Sequence, residues 1–412
     1  MTSDIERMEH IKQEIFESIK PQSEERGKEI DRALSGFALP IRLDNHNEYK
    51  PIISNILNAY VDSIGNTPSL KSVPNLLQDT QEIVKAILDA FDFAREGQTN
   101  DALKLIKSII LKYIDDAFFV SELDSSYAFR ASAVIDEFKH KQRKYDKQKN
   151  YPLSFYRCRK GEIKSQQDML HIPWSKRSQV PSGRFSIPEI PCLYLSTTSF
   201  CCYKELGDPD NMSVISLSAN NEGKKIKVLN LVITQRLING VACNPYENPT
   251  ELEIKMRKFF PFVIATSAST ENKDSHENTS DYSEYIVSNL LIKCLKDLGI
   301  DGIAYSSTRI DDEFQFPYGV NLAIPIYQPL DNQEFGEICR GFDITNPFYF
   351  DLSGTPLKYD KSHCRSYLNT IFHEEILSTI ELEGKRVQYS QSKFGKIDDM
   401  LVGKEHSPAI KI

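Results

Sequence analysis

The chain has 412 residues, of which 40% are hydrophobic and 10% are aromatic. This apolar content is enough to form buried cores, and it excludes a wholly disordered protein. The net charge of −8, with 50 Lys and Arg against 58 Asp and Glu, argues against broad electrostatic binding to nucleic acid. At about 150 residues per domain, the length predicts two to three domains.

Targeting and membrane signals are missing from the sequence. It has no run of about 18 apolar residues, and its polar start, MTSDIERMEHIKQEIF, lacks the apolar middle of a signal peptide. The eight cysteines include no C-x-x-C pair, which indicates buried free thiols rather than disulfides or a zinc site. We therefore expect a cytoplasmic protein with no membrane partner and no metal.

The first third of the chain has a helical pattern. Apolar residues recur at steps of three and four in Ile52, Ile56 and Tyr60, in Ile83, Ile87 and Phe91, and between Asn100 and Tyr113. We predict a helical N-terminal domain over residues 1–148. Residues 139–149, KHKQRKYDKQK, are nearly free of apolar side chains and indicate a solvated helix end or linker, with a phosphate-binding arm as the alternative.

The remainder of the chain mixes strand and helix patterns. Five short apolar runs predict strands, at residues 191–196, 226–234, 262–267, 302–307 and 321–326. One segment, YIVSNLLIKCLKDLGI, has helical periodicity and ends at Gly299, a predicted helix C-cap. The expected fold class is α+β, with a mixed domain over 149–384, a polar surface insert at 267–283 and a C-terminal tail over 385–412.

Several common enzyme motifs are absent from the sequence. It contains no G-x-x-x-x-G-K-[ST] loop and no G-x-G-x-x-G after a strand, which excludes P-loop nucleoside triphosphatases and the common dinucleotide fold. It also contains no G-x-S-x-G and no H-E-x-x-H.

Polar groups suited to a phosphorylated ligand concentrate in residues 155–206. Arg157 and Arg159 are two residues apart, so they share one face of the predicted strand. Arg184 follows a glycine at a turn. Guanidinium groups donate parallel pairs of hydrogen bonds, which matches pyrophosphate.

Other side chains in the second half suit a ribose-bearing ligand. Tyr194 lies in an apolar strand, where its ring could stack on a base or on nicotinamide. Glu205 follows eleven residues later, and a carboxylate beside a ribose stabilises an oxocarbenium-like centre. Ser306 and Ser307 end a predicted strand, where a hydroxyl can hold a ligand group.

Each of these side chains also has an ordinary structural interpretation. Arg184 could form a surface ion pair, and Tyr194 could be a core residue. Glu205 could be solvated, and Ser307 could be a turn residue. Spacing alone leaves both interpretations open.

Six segments together resemble the RES-domain family, named for its Arg, Glu and Ser. They are FYR-x-R, H-I-P, GRFSIPEIPCLYLS, the later KE, and DGIAYSS followed by GVNLAIP, within residues 153–328. The family is similar in fold to ADP-ribosyltransferases, and its studied members are bacterial toxins that destroy NAD. The resemblance implies a mixed α/β RES domain with NAD as substrate and no cofactor.

The resemblance also implies roles for individual residues. Arg157 corresponds to the first-strand arginine, with Arg159 as a rival for that place. Arg184 corresponds to the Gly-Arg element, Tyr194 to the strand tyrosine and Glu205 to the acidic residue. The expected catalytic residues are thus Glu205, Tyr194, Arg157 and the family serine.

The serine position is less defined. Ser307 aligns with the family serine and Ser306 stands where proline is usual, so the register is open by one residue. Asn321 corresponds to a late Asn and, with Arg184, Arg159 and Ser306, is expected to bind substrate. Ser186 stands where Asn is usual, and Glu189 where Gly is usual.

The expected function is therefore cleavage of the nicotinamide–ribose bond of NAD, by hydrolysis or phosphorolysis, in a toxin or defence effector. One alternative is ADP-ribosyl transfer to a macromolecule, and another is a non-catalytic nucleotide- or partner-binding module. Uncontrolled NAD loss would kill the host, so a neutralising antitoxin or regulatory protein is expected. The helical domain could form a homo-oligomer; its role, the trigger and the acceptor stay open.

Overall fold

The computed structural model describes residues 25–44, 48–129, 153–239, 250–270, 282–310, 319–327, 329, 334–352, 379–382 and 385–410. Its helices are α1 (Tyr49–Asn66), α2 (Pro68–Lys71), α3 (Leu76–Arg95), α4 (Thr99–Leu111), α5 (Ser199–Glu205), α6 (Gln235–Ile238), α7 (Glu251–Thr266), α8 (Ile286–Leu298) and α9 (Lys393–Val402). Residues 25–34 are also helical.

The strands are β1 (Ile41–Leu43), β2 (Val120–Glu122), β3 (Ser154–Lys160), β4 (Cys192–Ser196), β5 (Asn211–Ala219), β6 (Lys227–Asn230), β7 (Ala268–Thr270), β8 (Gly302–Ser306), β9 (Val320–Pro325), β10 (Phe342–Ile344), β11 (Phe348–Asp351), β12 (Thr379–Leu382), β13 (Lys385–Gln388) and β14 (Ser407–Pro408). The protein thus belongs to the α+β class, as predicted.

Within the described residues, ten strands form one mixed sheet. Its order is β14-β10-β5-β3-β4-β9-β8-β6-β2, with β11 also beside β5. Strand β3 pairs with β5 along its whole length, whereas it meets β4 only where Tyr156 lies opposite Ser196. The sheet therefore opens between β3 and β4.

The N-terminal helices pack directly on helices from the second half of the chain. Ile83, Ile87 and Phe91 of α3 are buried, as their spacing predicted, in one core with Phe259 of α7 and Leu291 of α8. The predicted boundary at residue 148 lies outside the described residues, and this core includes side chains from both sides of it.

Helix α1 is present, but its buried face differs from the predicted one. Ile52 and Ile56 are only partly buried. The buried residues of the helix are Tyr49, Ile53, Leu57, Tyr60 and Ile64. The three- and four-residue spacing predicted the helix correctly, but its phase was misassigned because apolar residues occupy adjacent positions.

The strand predicted at 262–267 is wrong, since residues 262–266 complete α7 and Ser267 is its C-cap. A short apolar run cannot be distinguished from a buried helical segment by periodicity alone. The decisive signal lies upstream: Thr250 and Glu253 form a capping box, each side chain accepting a hydrogen bond from the other residue's backbone N–H. The other four predicted strands are present.

The predicted polar insert begins inside regular structure. Ala268–Thr270 forms buried β7, which pairs in parallel with β1, and residues 271–281 lie outside the described parts of the chain. The predicted linker at 139–149 also lies outside them. The tail is packed: Phe394, Ile397 and Leu401 of α9 are buried against the sheet and α5.

Six cysteines in the described segments are buried free thiols, as expected: Cys158, Cys192, Cys201, Cys202, Cys294 and Cys339. A search of the same segments finds no helix with the length and apolarity needed to cross a membrane.

Candidate functional site

An open cleft of about 630 Å³ lies where β3 and β4 diverge. Its walls come from β3, the 181–186 segment, β4, the end of α5, Tyr285, and the strands β8 and β9. This volume is within the range of ligand pockets. Seven of the eight predicted site residues lie in or directly beside this cleft.

Two arginines of β3 line one side of the cleft. Arg157 Nη1 donates to the carbonyl of Tyr194 at 2.7 Å, across the opening between the strands. Arg159 Nη2 donates to the carbonyl of Leu170 at 2.8 Å. The Nε atoms of both are buried without a hydrogen-bond partner. Burial, with repulsion from Arg159, lowers the pKa of Arg157 to about 10.

Arg184 extends from the 181–186 segment between a helix end and a strand end. Its Nε donates to the carbonyl of Thr266 at 2.5 Å, and its Nη1 donates to the carbonyl of Ser306 at 3.1 Å. The guanidinium also lies over the rings of Phe185 and Tyr305, 5.1 and 4.9 Å from their centroids. Burial lowers its pKa.

The arginines make no carboxylate ion pair within the described residues. Arg157, Arg159 and Arg184 are anchored by neutral backbone carbonyls instead. Lys160 and Arg309 also line the cleft, whose one acidic side chain is Glu205. Buried cations without anionic partners are costly, so this arrangement favours binding of an anionic ligand.

Glu205 lies at the last position of α5, close enough to Arg184 for its charge to counter part of the effect of burial on the pKa of that guanidinium. Its Oε1 accepts from Ser307 Oγ at 2.7 Å and from Asn321 Nδ2 at 2.6 Å. Among the described residues no donor reaches its Oε2, and the side chain is exposed. A carboxylate at a helix C-terminus is disfavoured by the helix dipole, so these two donors hold it where the helix alone would not.

Asn321 is itself fixed by neighbouring side chains. Its Oδ1 accepts from Ser196 Oγ at 2.5 Å and from Cys201 Sγ at 3.3 Å. Both partners are buried, as is Asn321. The amide therefore presents its nitrogen to Glu205, which fixes the carboxylate from the side of the sheet.

The two adjacent serines have different surroundings. Ser307 Oγ donates to Glu205 and accepts from the backbone N–H of Arg309 at 3.1 Å. Ser306 contributes its carbonyl to Arg184, and both serines line a smaller hollow that Arg184 also lines. The geometry thus groups Ser307, and not Ser306, with Glu205.

Tyrosines form the apolar part of the cleft. Tyr194 and Tyr305 both line it, and burial raises the pKa of each phenol well above its usual range, so both stay neutral. Tyr305 packs on Phe185 with ring centroids 4.4 Å apart. Tyr305 is covered by Phe185 and Arg184, whereas Tyr194 is half-buried and can offer its ring to a planar group.

The sequence interpretation missed several cleft residues: Phe185, Ser269, Tyr285, Tyr305, Thr308 and Arg309. Arg309 and Tyr305 each lie two residues from Ser307, so the strand-end pattern could have included them. Ser269 in β7 and Tyr285 just before α8 are distant in sequence from the motifs, and no local pattern indicated them.

Two other residues of the motif region have structural roles. His171 accepts from the backbone N–H of Gly336 through Nε2 at 3.0 Å, and burial lowers its pKa to about 4. Glu189 has a φ of +66°, the left-handed region that favours glycine.

No group of three or more His, Cys, Asp or Glu side chains is arranged to hold a metal ion in the parts of the chain that the structure describes.

Comparison with known proteins yields one informative similarity. Over 408 residues the chain is 24% identical to a protein of Bacillus subtilis (strain 168) named "Putative toxin YopC", and the match covers 91% of this chain and 81% of that protein. No family model matches the chain. No solved structure matches it either.

Proposed function

We propose that the chain is an NAD-degrading toxin that cleaves the nicotinamide–ribose bond. The observation that carries this proposal is the division of the cleft. Among the described residues, three partly buried arginines have no carboxylate within ion-pair distance, and the carboxylate of Glu205 is anchored through Oε1 while its Oε2 accepts no hydrogen bond. A dinucleotide has a pyrophosphate that can pair with the arginines and a ribose that can lie against Glu205.

The arginines bind the pyrophosphate in this proposal. Arg157 and Arg184 keep donor groups beyond those given to backbone carbonyls, and their carbonyl bonds fix both guanidinium planes in advance. Such preorganisation lowers the entropy cost of binding. Tyr194 flanks the nicotinamide or its ribose.

Glu205 stabilises the sugar while the bond breaks. The electron pair of the C–N bond leaves with the nicotinamide ring nitrogen, so neutral nicotinamide departs and positive charge grows on the ribose carbon. Glu205 offsets that charge directly or through the ribose hydroxyls. Because the leaving group begins as a cation, no acid is needed to expel it. Water then forms the new C–O bond and loses a proton to solvent, or phosphate forms the C–O bond in its place.

Two further observations support the RES-like assignment. The left-handed backbone at Glu189 occurs at the position where that family usually has glycine. The B. subtilis relative is named as a toxin. A toxin that consumes NAD requires restraint, so a neutralising antitoxin belongs to the proposal.

The test is release of nicotinamide from NAD by the full chain and by Glu205→Gln. We expect Glu205→Gln to lower turnover by about 100-fold or more, because the amide cannot offset the growing charge. Asp208→Asn is the matched control: Asp208 is an exposed acid three residues later and pairs with Lys204 at 3.1 Å. Equal turnover by wild type and Glu205→Gln would contradict the assignment.

Analysis of the second product separates the chemical alternatives. Free ADP-ribose indicates hydrolysis, and a phosphorylated ADP-ribose formed only with phosphate present indicates phosphorolysis. ADP-ribose attached to a co-purified macromolecule indicates transfer. Absence of nicotinamide in every condition would favour the non-catalytic binding module.

A further inference from the structure

The C-terminal end of α7 joins the N-terminal helical region to the cleft. The last carbonyls of a helix have no intrahelical donor and need partners from elsewhere. Ala265 O accepts from the Tyr49 hydroxyl at 2.7 Å, and the next carbonyl, Thr266 O, accepts from Arg184 Nε at 2.5 Å. Adjacent carbonyls therefore hold one residue of α1 and one residue of the cleft.

Tyr49 is held in place by burial and by an aromatic contact. It is the first residue of α1 and is 2% exposed, and its ring stacks on Phe91 with centroids 5.4 Å apart. Burial raises its pKa, so the hydroxyl keeps the proton that it donates. A second connection between the N-terminal region and the cleft lies just beyond the end of α7. There β1 pairs with β7, and Ser269 of β7 lines the cleft.

We propose that Tyr49 is a positioning residue for the anion site, acting through the end of α7 on Arg184. The inference rests on the proposed function only in naming NAD as the ligand. By fixing Ala265 O, Tyr49 fixes the orientation of Thr266 O and hence the guanidinium that Thr266 O anchors. The helical region thereby becomes part of the phosphate-binding geometry.

Tyr60 provides a matched comparison within the same two helices. Its buried hydroxyl donates to Arg257 O at 2.9 Å. This carbonyl lacks its usual helical donor because Pro261, four residues later, has no N–H. Tyr49 and Tyr60 thus make the same kind of bond from α1 to α7. Only the Tyr49 bond adjoins the carbonyl that holds Arg184.

The experiment compares Tyr49→Phe with Tyr60→Phe in the full chain. Each protein is measured for its affinity for inorganic pyrophosphate by calorimetry, for KM and kcat with NAD, and for thermal unfolding. Both variants lose one buried hydrogen bond, and we expect each Tm to fall by about 2 °C. For Tyr49→Phe we expect about five-fold weaker pyrophosphate binding and a correspondingly higher KM. For Tyr60→Phe both values should match wild type, and kcat should hold in both variants.

Equal losses of affinity in the two variants, or unchanged affinity in Tyr49→Phe, would overturn the inference. A wild-type protein that binds pyrophosphate but does not cleave NAD would refute the proposed function alone, since the contrast in pyrophosphate affinity still decides the role of Tyr49. A wild-type protein that binds no pyrophosphate would overturn the inference, because Arg184 would then have no anion to receive.

Discussion

The two sides of the cleft hold their charged groups by different means. The guanidinium groups of Arg157, Arg159 and Arg184 are partly buried and are fixed by backbone carbonyls, which cannot neutralise them. Glu205 is exposed and is fixed by two polar side chains, of Ser307 and Asn321. The arginines are thus hydrogen-bonded but have no anionic partner among the described residues. The carboxylate of Glu205 is hydrogen-bonded and exposed to solvent.

This difference separates binding from chemistry. A bound anion would stabilise the arginines in place of the water that burial removes, so substitutions of these arginines should change the affinity for the ligand. The carboxylate of Glu205 interacts most favourably when positive charge develops on the ribose, so substitutions of Glu205 should change the turnover rate. Variants on the two sides should therefore affect different kinetic constants.

Of the substitutions at Arg184 and Ser307, the larger effect is expected for Arg184→Lys. An ammonium cannot keep both carbonyl bonds and also donate in parallel to phosphate, so KM for NAD should rise about 10-fold or more, with a smaller change in kcat. Arg177→Lys is the control, because Arg177 is an exposed arginine against Trp174 outside the cleft. A drop in kcat at unchanged KM would break the division between the two sides.

Ser307→Ala should sharpen the division on the acidic side. It removes one of the two donors to Glu205 Oε1, and we expect kcat to fall about 5- to 10-fold with little change in KM. Ser306→Ala is the comparison, since Ser306 serves Arg184 through its backbone carbonyl. If Ser306→Ala lowers kcat more than Ser307→Ala, the assignment of the two serines is reversed.

A separate effect concerns the pH dependence of stability, at a histidine near Arg157 and Arg159. His171 has a pKa of about 4 when folded, against 6.5 ordinarily, through burial and the charges of Arg157 and Arg159. Between these values the unfolded chain binds a proton that the native protein does not. The free energy of unfolding should therefore fall by up to about 3 kcal/mol as pH drops from 6.5 to 4.

Urea unfolding of wild type and His171→Gln at pH 7 and pH 5 measures this contribution. Gln retains an acceptor for the backbone N–H of Gly336 but cannot take up the proton, so its stability should depend less on pH. Identical pH dependence in both proteins would show that His171 does not contribute to the pH dependence of stability.

The sequence predicted local structure better than packing. The helix ending at Gly299 and four of five strands follow from periodicity and capping, which depend on neighbours in the chain. The shared core of α3, α7 and α8 depends on contacts between distant segments, so no local pattern could indicate it. The strand prediction at the end of α7 is wrong for a different reason, because short buried helical and strand segments have similar apolar runs.

For the site, the motifs identified the polar residues, while the structure supplied the geometry between them. The arrangement of Ser307 and Asn321 on one oxygen of Glu205 depends on the β8–β9 pairing and the end of α5. Spacing alone could not choose between Ser306 and Ser307. It also could not show that the arginines lack carboxylate partners among the described residues.

The most direct test of the account is calorimetric titration of NAD into Glu205→Gln, with the products analysed afterwards. The account predicts that NAD binds about as tightly as ADP-ribose binds to wild type, and that it is recovered intact while wild type releases nicotinamide. Failure of NAD to bind, or rapid release of nicotinamide by Glu205→Gln, would contradict the account.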